Sequence, residues 1–410
     1  MPTEVVSPGA ESPDAVSLGT GSPEAGSPEA GSPGAVSLRR TGAGPLPRLA
    51  AEHARAALPT VAAPELDAAQ RVAHDLGPWL PLPAQGDTCT LWESLATLGA
   101  ADLTIARVAE PHLDALAILR EARRHGAIDE RGWHHSGWND ARLWQVYAAE
   151  GSERLTAAQD DDGWRLTGVK PWCSLAERAS HAVITAWAGD ERRLFAVDLV
   201  QEGVRRPDEG TFAGQSATWS SRGLAQVRST ALTFDSVRAV SVGGPDWYLT
   251  RPGFAWGGAG VAAIWYGACT ALARTLRRAA SDRPPDQVAL LHLGAVDTAL
   301  ARARAVLLEA AAVADDHAVG QAPVGQAPAG QAPAGEAVLV CQRVRQVVAD
   351  SAEEILSRVG HALGPAPLTG DESHARRVAD LTVYLRQHHA ERDLARQGAM
   401  VLGSEEGWTW

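Results

Sequence analysis

The side chains best suited to acid–base or metal chemistry near neutral pH are two histidine pairs, His134-His135 and His388-His389. Neighbours on a helix point about 100° apart, so neither pair can share an ion there, and neither shows HExxH spacing. By spacing alone, His388 and His389 in LRQHHAERD belong to a charged, solvated final helix. The run from Gly258 to Ala263 fits GxGxxA, in which glycines admit a dinucleotide's pyrophosphate to a helix start. No apolar strand precedes it, and the first acid downstream, Asp282, lies past the end of a helix, so a close-packed helix start is the better reading. GxSxG is absent, which leaves hydrolase chemistry without support. Cys89, Cys173, Cys269 and Cys341 stand far apart without a CxxC, so no metal site or disulfide framework is expected, and a reducing cytoplasm fits best.

Tryptophan is used 14 times against 4 each for Phe and Tyr, and Trp144, Trp164, Trp172, Trp187 and Trp219 crowd one region. Most read as core. An aromatic wall is also what a flavin ring stacks on, and Ser174, two residues after Trp172, offers a hydroxyl to a ring heteroatom.

The elements that must position these groups follow from periodicity. Apolar residues recur every three to four positions through PELDAAQRVAHDLGPWL and on to Arg124. The period switches to two in LWQVYAAE, RLTAAQ, WRLTGVKPW, HAVITAWA, RLFAVDLV and RSTALTF, with Asp162-Gly163 as a turn signal. It returns to helix after Gly258 in four long stretches, the last being HARRVADLTVYLRQHHAERDLARQG. The expected domains are a disordered Ser-Pro-Gly-Glu tail over 1–45, helices over 46–142, a β-barrel over 143–245 and a helical bundle over 246–403. The repeat GQAPVGQAPAGQAPAG makes a flexible loop of 319–336. This order is α+β, not the alternation of a doubly wound nucleotide-binding sheet. The tail has no secretory signal pattern. The uncharged run from Pro252 to Ala273 is long enough to span a bilayer, yet its early glycines favour a buried core helix. A net charge of −12 argues against nucleic acid as partner.

From about Leu95 to Arg396 the chain resembles the acyl-CoA dehydrogenase family, flavoproteins built as helical domain, antiparallel β-barrel and helical bundle. The most specific piece is GWRLTGVKPWCSLAERASHAVITAW at 163–187, followed by RGLAQVRSTALTFDSVRA at 222–239. WYLTRPGFAWGGAGVAAIWYGACTAL resembles the start of the bundle, and AEPHLDALAILREA at 109–122 the first-domain helix carrying Glu-x-His. The resemblance implies FAD as cofactor, with Trp172 flanking the flavin and Ser174 hydrogen-bonded to it; Tyr147 joins them as a cofactor-binding candidate. It also implies an acyl-CoA or related thioester substrate, an electron-transfer flavoprotein as acceptor and a homo-oligomer.

Three departures bear on activity. The family's Thr-Glu-Pro is Ala149-Glu150-Gly151 here, which removes a hydroxyl contact to the flavin. Its Arg-x-x-Phe-Gly, which reaches the FAD pyrophosphate, has no match in DQVALLHLGAVD. Its catalytic Glu, eight residues after an Asp and within Tyr-Glu-Gly-Thr, falls on His388 when counted from Asp380, and no Tyr-Glu-Gly-Thr occurs. The expected base is therefore His388 as neutral imidazole, or Glu391 one helical turn further on nearly the same face. The first expectation is FAD-dependent acyl-thioester oxidation at Cα–Cβ, with proton abstraction and hydride transfer to flavin. A flavin-dependent monooxygenase, using a cavity histidine in oxygen chemistry, is the second. A catalytically degenerate partner subunit is the third.

Overall fold

The computed structural model describes residues 34–59, 64–128, 143–206, 219–251, 253–282, 284–319 and 334–403. The His134-His135 pair, most of the expected loop 319–336 and residues 1–33 of the expected tail lie outside them.

Four helices open the fold: α1 (Pro45–Ala57), α2 (Leu66–Leu76), α3 (Thr88–Ala101) and α4 (Leu103–Arg124). Asp102 separates the last two and caps α4, accepting from the Thr104 and Ile105 amides at 2.8 and 3.3 Å. The expectation of a disordered tail through residue 45 is corrected for its last part. Val36 and Leu38 are buried. The amides of Leu38 and Arg39 and the Ser37 hydroxyl all donate to Oε1 of the buried Glu93, whose Oε2 pairs with Arg39 at 2.9 Å. Two apolar side chains and one buried acid that needs donors hold this segment to α3.

The central strands are β1 (Trp144–Tyr147), β2 (Leu155–Asp160), β3 (Gly163–Ser174), β4 (His181–Ala188), β5 (Glu191–Asp198), β6 (Val204–Arg205) and β7 (Ser229–Val242). Each alternating stretch seen in the sequence is a strand, and the two-residue β6 is an addition. The order β4-β2-β3-β7-β5 closes on itself because β5 also pairs with β4, which makes the expected barrel. The β2–β3, β3–β7, β7–β5 and β5–β4 pairings are antiparallel. β1 and β2 run parallel to β4, since the chain leaves β1 at Tyr147 and resumes as β2 in the same direction.

The bundle follows a short helix α5 (Trp247–Thr250) and contains α6 (Gly253–Ser281), α7 (Gln287–Val319) and α8 (Ala334–Leu363). After α9 (Ala366–Gly370) comes α10 (Glu372–Tyr384), a 3₁₀ turn at Leu385–Gln387 and α11 (Glu391–Gly403). The single final helix expected from sequence is thus broken. His388 is extended at φ −87°, ψ 122°, and Ala390 is left-handed at φ 47°.

α6 includes the uncharged run from Gly253 on and is packed at the centre, with Trp256, Ile264, Trp265 and Leu272 all buried. Among the described residues no helix is long and apolar enough to cross a membrane. The close contact is with α3, itself buried along nearly its whole length. A Cβ on Gly267 would overlap the Ala96 carbonyl oxygen, and one on Gly99 would overlap that of Ile264. Of the glycines of the GxGxxA run, Gly260 serves the same packing, lying against Leu95 and Trp92, whereas a Cβ on Gly258 would meet only Arg345.

Gly267→Ala is expected to lower stability by about 1–3 kcal/mol through overpacking, measured by denaturant unfolding. Gly294→Ala on α7, where an added Cβ meets nothing within 4 Å, is the control and should be neutral or stabilising by up to about 1 kcal/mol.

Candidate active site between barrel and bundle

On the barrel side, β3 carries an irregularity between Lys170 and Cys173 in its pairing with β7. Trp172 sits within it at φ 59°, a left-handed conformation rare for a bulky residue, and its side chain is 47 % exposed. A bulge of this kind re-aims a side chain, here turning an indole out of the barrel wall. Two residues on, Ser174 is paired in register with Ser229, and the two hydroxyl oxygens are 2.8 Å apart. The Tyr147 hydroxyl donates to the Ser174 carbonyl at 2.9 Å. Tyr147 itself lies in the barrel core, so the expectation that it touches a cofactor is corrected: its surface is used up by packing and it fixes Ser174 instead.

From α4, Arg107 reaches across. Its guanidinium pairs with Glu110 at 3.1 Å, donates to the Ser174 hydroxyl at 3.4 Å and stands 5.7 Å from the centre of the Tyr384 ring. Tyr384 packs edge-on against Trp265 at 6.1 Å, and Trp265 edge-on against His388 at 6.5 Å. The Tyr384 hydroxyl and His388 Nε2 are buried without a hydrogen-bond partner among the described residues. A continuous series therefore runs from Ser174 through Arg107, Tyr384 and Trp265 to His388.

His388 is buried, not solvated as its sequence neighbourhood suggests. Burial, then the positive charge of Arg345, hold its pKa below the ordinary histidine value, so the ring is neutral at pH 7. The Ala390 amide donates to Nδ1 at 3.2 Å, which assigns the proton of the neutral ring to Nε2. Asp393 Oδ2 is 4.0 Å from Nε2 and accepts instead from the His389 amide at 3.0 Å. Glu391 is exposed in the first turn of α11. Its expected place on the same helical face as His388 is corrected, because the break at residues 388–390 redirects the chain before it.

Glu110 also lines a separate small cleft of about 40 Å³ whose other walls are mainly apolar, among them Leu80, Leu82, Leu91 and Leu113, and which neither Trp172, Ser174 nor His388 lines. Desolvation raises its carboxyl to about 7, aided by neighbouring Asp114 and opposed by Arg107 and Arg345. Asp114, on the same wall, pairs with the buried Arg251 at 3.4 Å. His112, the other member of Glu-x-His, is structural: its Nδ1 accepts from the Trp144 amide at 3.2 Å and burial lowers its pKa to about 3.

Of the sequence candidates, Trp172 and Ser174 lie on the barrel side of this candidate site, and His388 lies on its bundle side at the far end of the series through Arg107, Tyr384 and Trp265. Arg107, Tyr384 and Trp265 were missed because each is ordinary in its own helix and gains meaning only from its neighbours across the interface. Glu110 had a signal, the Glu-x-His of AEPHLDALAILREA. A half-exposed indole, a hydroxyl pair and a buried donor awaiting an acceptor form a set suited to a flat heteroaromatic ring.

No protein-family model matches the sequence, and no curated protein matches it. Solved structures do. The dibenzothiophene monooxygenase of Paenibacillus sp. A11-2 is 17 % identical with a TM-score of 0.64, over 82 % of this chain and 89 % of its own. KijD3, solved with FMN and a dTDP-linked amino-keto sugar, is 22 % identical with a TM-score of 0.66, over 88 % and 92 %. Butyryl-CoA dehydrogenase of Megasphaera elsdenii is 14 % identical with a TM-score of 0.63, over 82 % and 90 %. With the same helical domain, barrel and bundle in the same order, the chain has the acyl-CoA dehydrogenase fold, on a sequence that has diverged far from these structures.

Proposed function

We propose that the chain is a flavin-dependent oxidoreductase of the monooxygenase type, in which His388 presents an Nε2–H donor to the reacting atoms. The observation that carries this reading is the Ala390 amide donating to Nδ1 at 3.2 Å. A neutral imidazole protonated at Nε2 gives a hydrogen bond or a proton there; it does not take one. Dehydrogenation of an acyl thioester needs the opposite, a base beside the α-carbon. Glu391, the alternative base, is exposed on α11.

The residues present fit a flavin ring. Trp172 would flank it, and Ser174, held by Tyr147 and beside Ser229, would hydrogen-bond to it. The unpartnered His388 Nε2 is a donor in want of an acceptor. Bound in reduced form, a flavin supplies two-electron chemistry with dioxygen. Arg107 orients the Ser174 hydroxyl and keeps a positive charge beside Glu110. FMN serves as well as FAD in this reading, since DQVALLHLGAVD lacks the arginine that anchors the FAD pyrophosphate. Structural neighbours include a named monooxygenase and an FMN complex, which supports the same choice.

The test is protein-dependent oxygen consumption with externally supplied reduced FMN or FAD. His388→Ala is expected to lower it about 100-fold, the usual size of one positioned proton donor, while His388→Gln, which keeps a donor, retains more. Anaerobic bleaching of bound flavin by acyl-CoA thioesters, with no oxygen chemistry, would overturn the reading in favour of a dehydrogenase.

A pH dependence also follows. Below about 7 the Glu110 carboxyl is protonated, and above it the cleft wall carries a new negative charge beside Arg107. Turnover should show a limb near pH 7 that Glu110→Gln removes, leaving a separate limb below 6.5 from His388.

A further inference from the structure

We infer that Arg345 is the positioning residue for His388, clamping the turn that presents the imidazole against helix α6. This inference rests on the role given to His388 above. Arg345 projects from α8, and its two terminal nitrogens are divided between elements that have no other reason to share a cation. Nη1 donates to the Gly258 carbonyl of α6 at 2.8 Å, and Nη2 donates to the Gln387 carbonyl, the residue before His388, at 3.1 Å. The guanidinium lies 5.0 Å from the centre of the Trp265 ring, the ring that stands edge-on to His388. A planar fork on an aromatic face is a geometry that arginine satisfies and lysine does not.

The turn needs such a clamp. It contains an extended residue, His388, and a left-handed alanine, Ala390, whose amide must point at Nδ1. A left-handed non-glycine residue persists where its surroundings hold it. By fixing Gln387, Arg345 fixes the start of the three-residue step that orients the Ala390 amide and so selects the tautomer with Nε2 protonated.

Arg345 also acts through its charge. The groups that bear on the His388 ring are Arg345 and Asp350 from α8, Asp393 from α11 and the adjacent His389. Arg345 and His389 disfavour the imidazolium, whereas Asp393 and Asp350 favour it. From α4, Glu110 bears on Arg345 in turn, which places one guanidinium between the titrating group of the cleft and that of the turn.

The experiment is a pH titration of the histidine ring carbons and nitrogens by NMR in the full-length chain without flavin, the His388 signals being assigned by their loss in His388→Gln. In Arg345→Met the His388 midpoint is expected to rise toward the ordinary value, and the single-tautomer nitrogen pattern to become mixed. In Arg345→Lys, which keeps the charge and loses the fork, the midpoint should stay low while the tautomer becomes mixed. A folded Arg345→Met protein with the wild-type midpoint and tautomer overturns the inference. If Arg345→Met does not fold, an unchanged tautomer in Arg345→Lys overturns it equally. A purely structural role would lower thermal stability and leave the His388 titration unmoved. Since the readout is taken without turnover, absence of oxygen chemistry in the wild type would sink the proposed function alone.

Discussion

Backbone-to-backbone contact between α3 and α6 is the constraint on which the rest of this structure depends. Glycines at 99 and 267 each face a carbonyl of the opposite helix, so the two helices approach more closely than any side chain would permit. That closeness leaves α3 buried almost all round and makes α6 the axis of the bundle. It also sets the register of the site, because Trp265 lies two residues before Gly267 and Gly258 lies two turns earlier on the same helix. A shift of α6 along α3 would move the ring that backs His388 and the carbonyl that Arg345 holds.

The barrel is joined to this helical framework by an apolar seam, in which Leu116, Ile118 and Leu119 of α4 cluster with Trp144, Val183, Leu194 and Val242, and by buried polar ties. Within the helical framework itself, Asp102, while capping α4, also receives Arg376 of α10 at 2.8 Å. Asp380 of the same helix accepts from the Leu224 amide at 2.5 Å, where Gly223 lets the barrel loop lie against the Ala379 carbonyl. Burial pushes the Asp380 carboxyl up to about 6. Such ties are directional, and a buried polar group left without its partner is costly, so they define one docking geometry. Arg107 is the tie that coincides with the chemistry, since it touches Ser174 of the barrel and Tyr384 of the bundle together.

The break in the last helix turns an ordinary amphipathic segment into a site. A helix continued through residue 391 would carry Glu391 on nearly the same face as His388. The 3₁₀ turn and the left-handed Ala390 instead bury His388 against Trp265 and leave Glu391 exposed. The position counted from Asp380 thus carries a buried ring with an assigned proton, its Nε2 4.0 Å from the Asp393 carboxylate.

Fold class and the order of helices, strands and helices were legible in the sequence, because periods of two and of about 3.6 are local properties of the chain. Trp172 and Ser174 do lie together on β3 as the sequence has them, but the irregularity that turns Trp172 outward was not legible there. Val36 and Leu38 were not legible as core, since their hydrogen-bond partners Thr97 and Glu93 lie 61 and 55 residues away and the Ser-Pro-Gly-rich context conceals them. Neither the burial and tautomer of His388, the exposure of Glu391 nor the convergence of Arg107, Glu110 and Arg345 could be read from neighbours in sequence. The types of the chemical groups were set by sequence alone; their protonation and partners were decided by tertiary structure, because desolvation and Coulomb forces depend on what lies within a few ångströms in space.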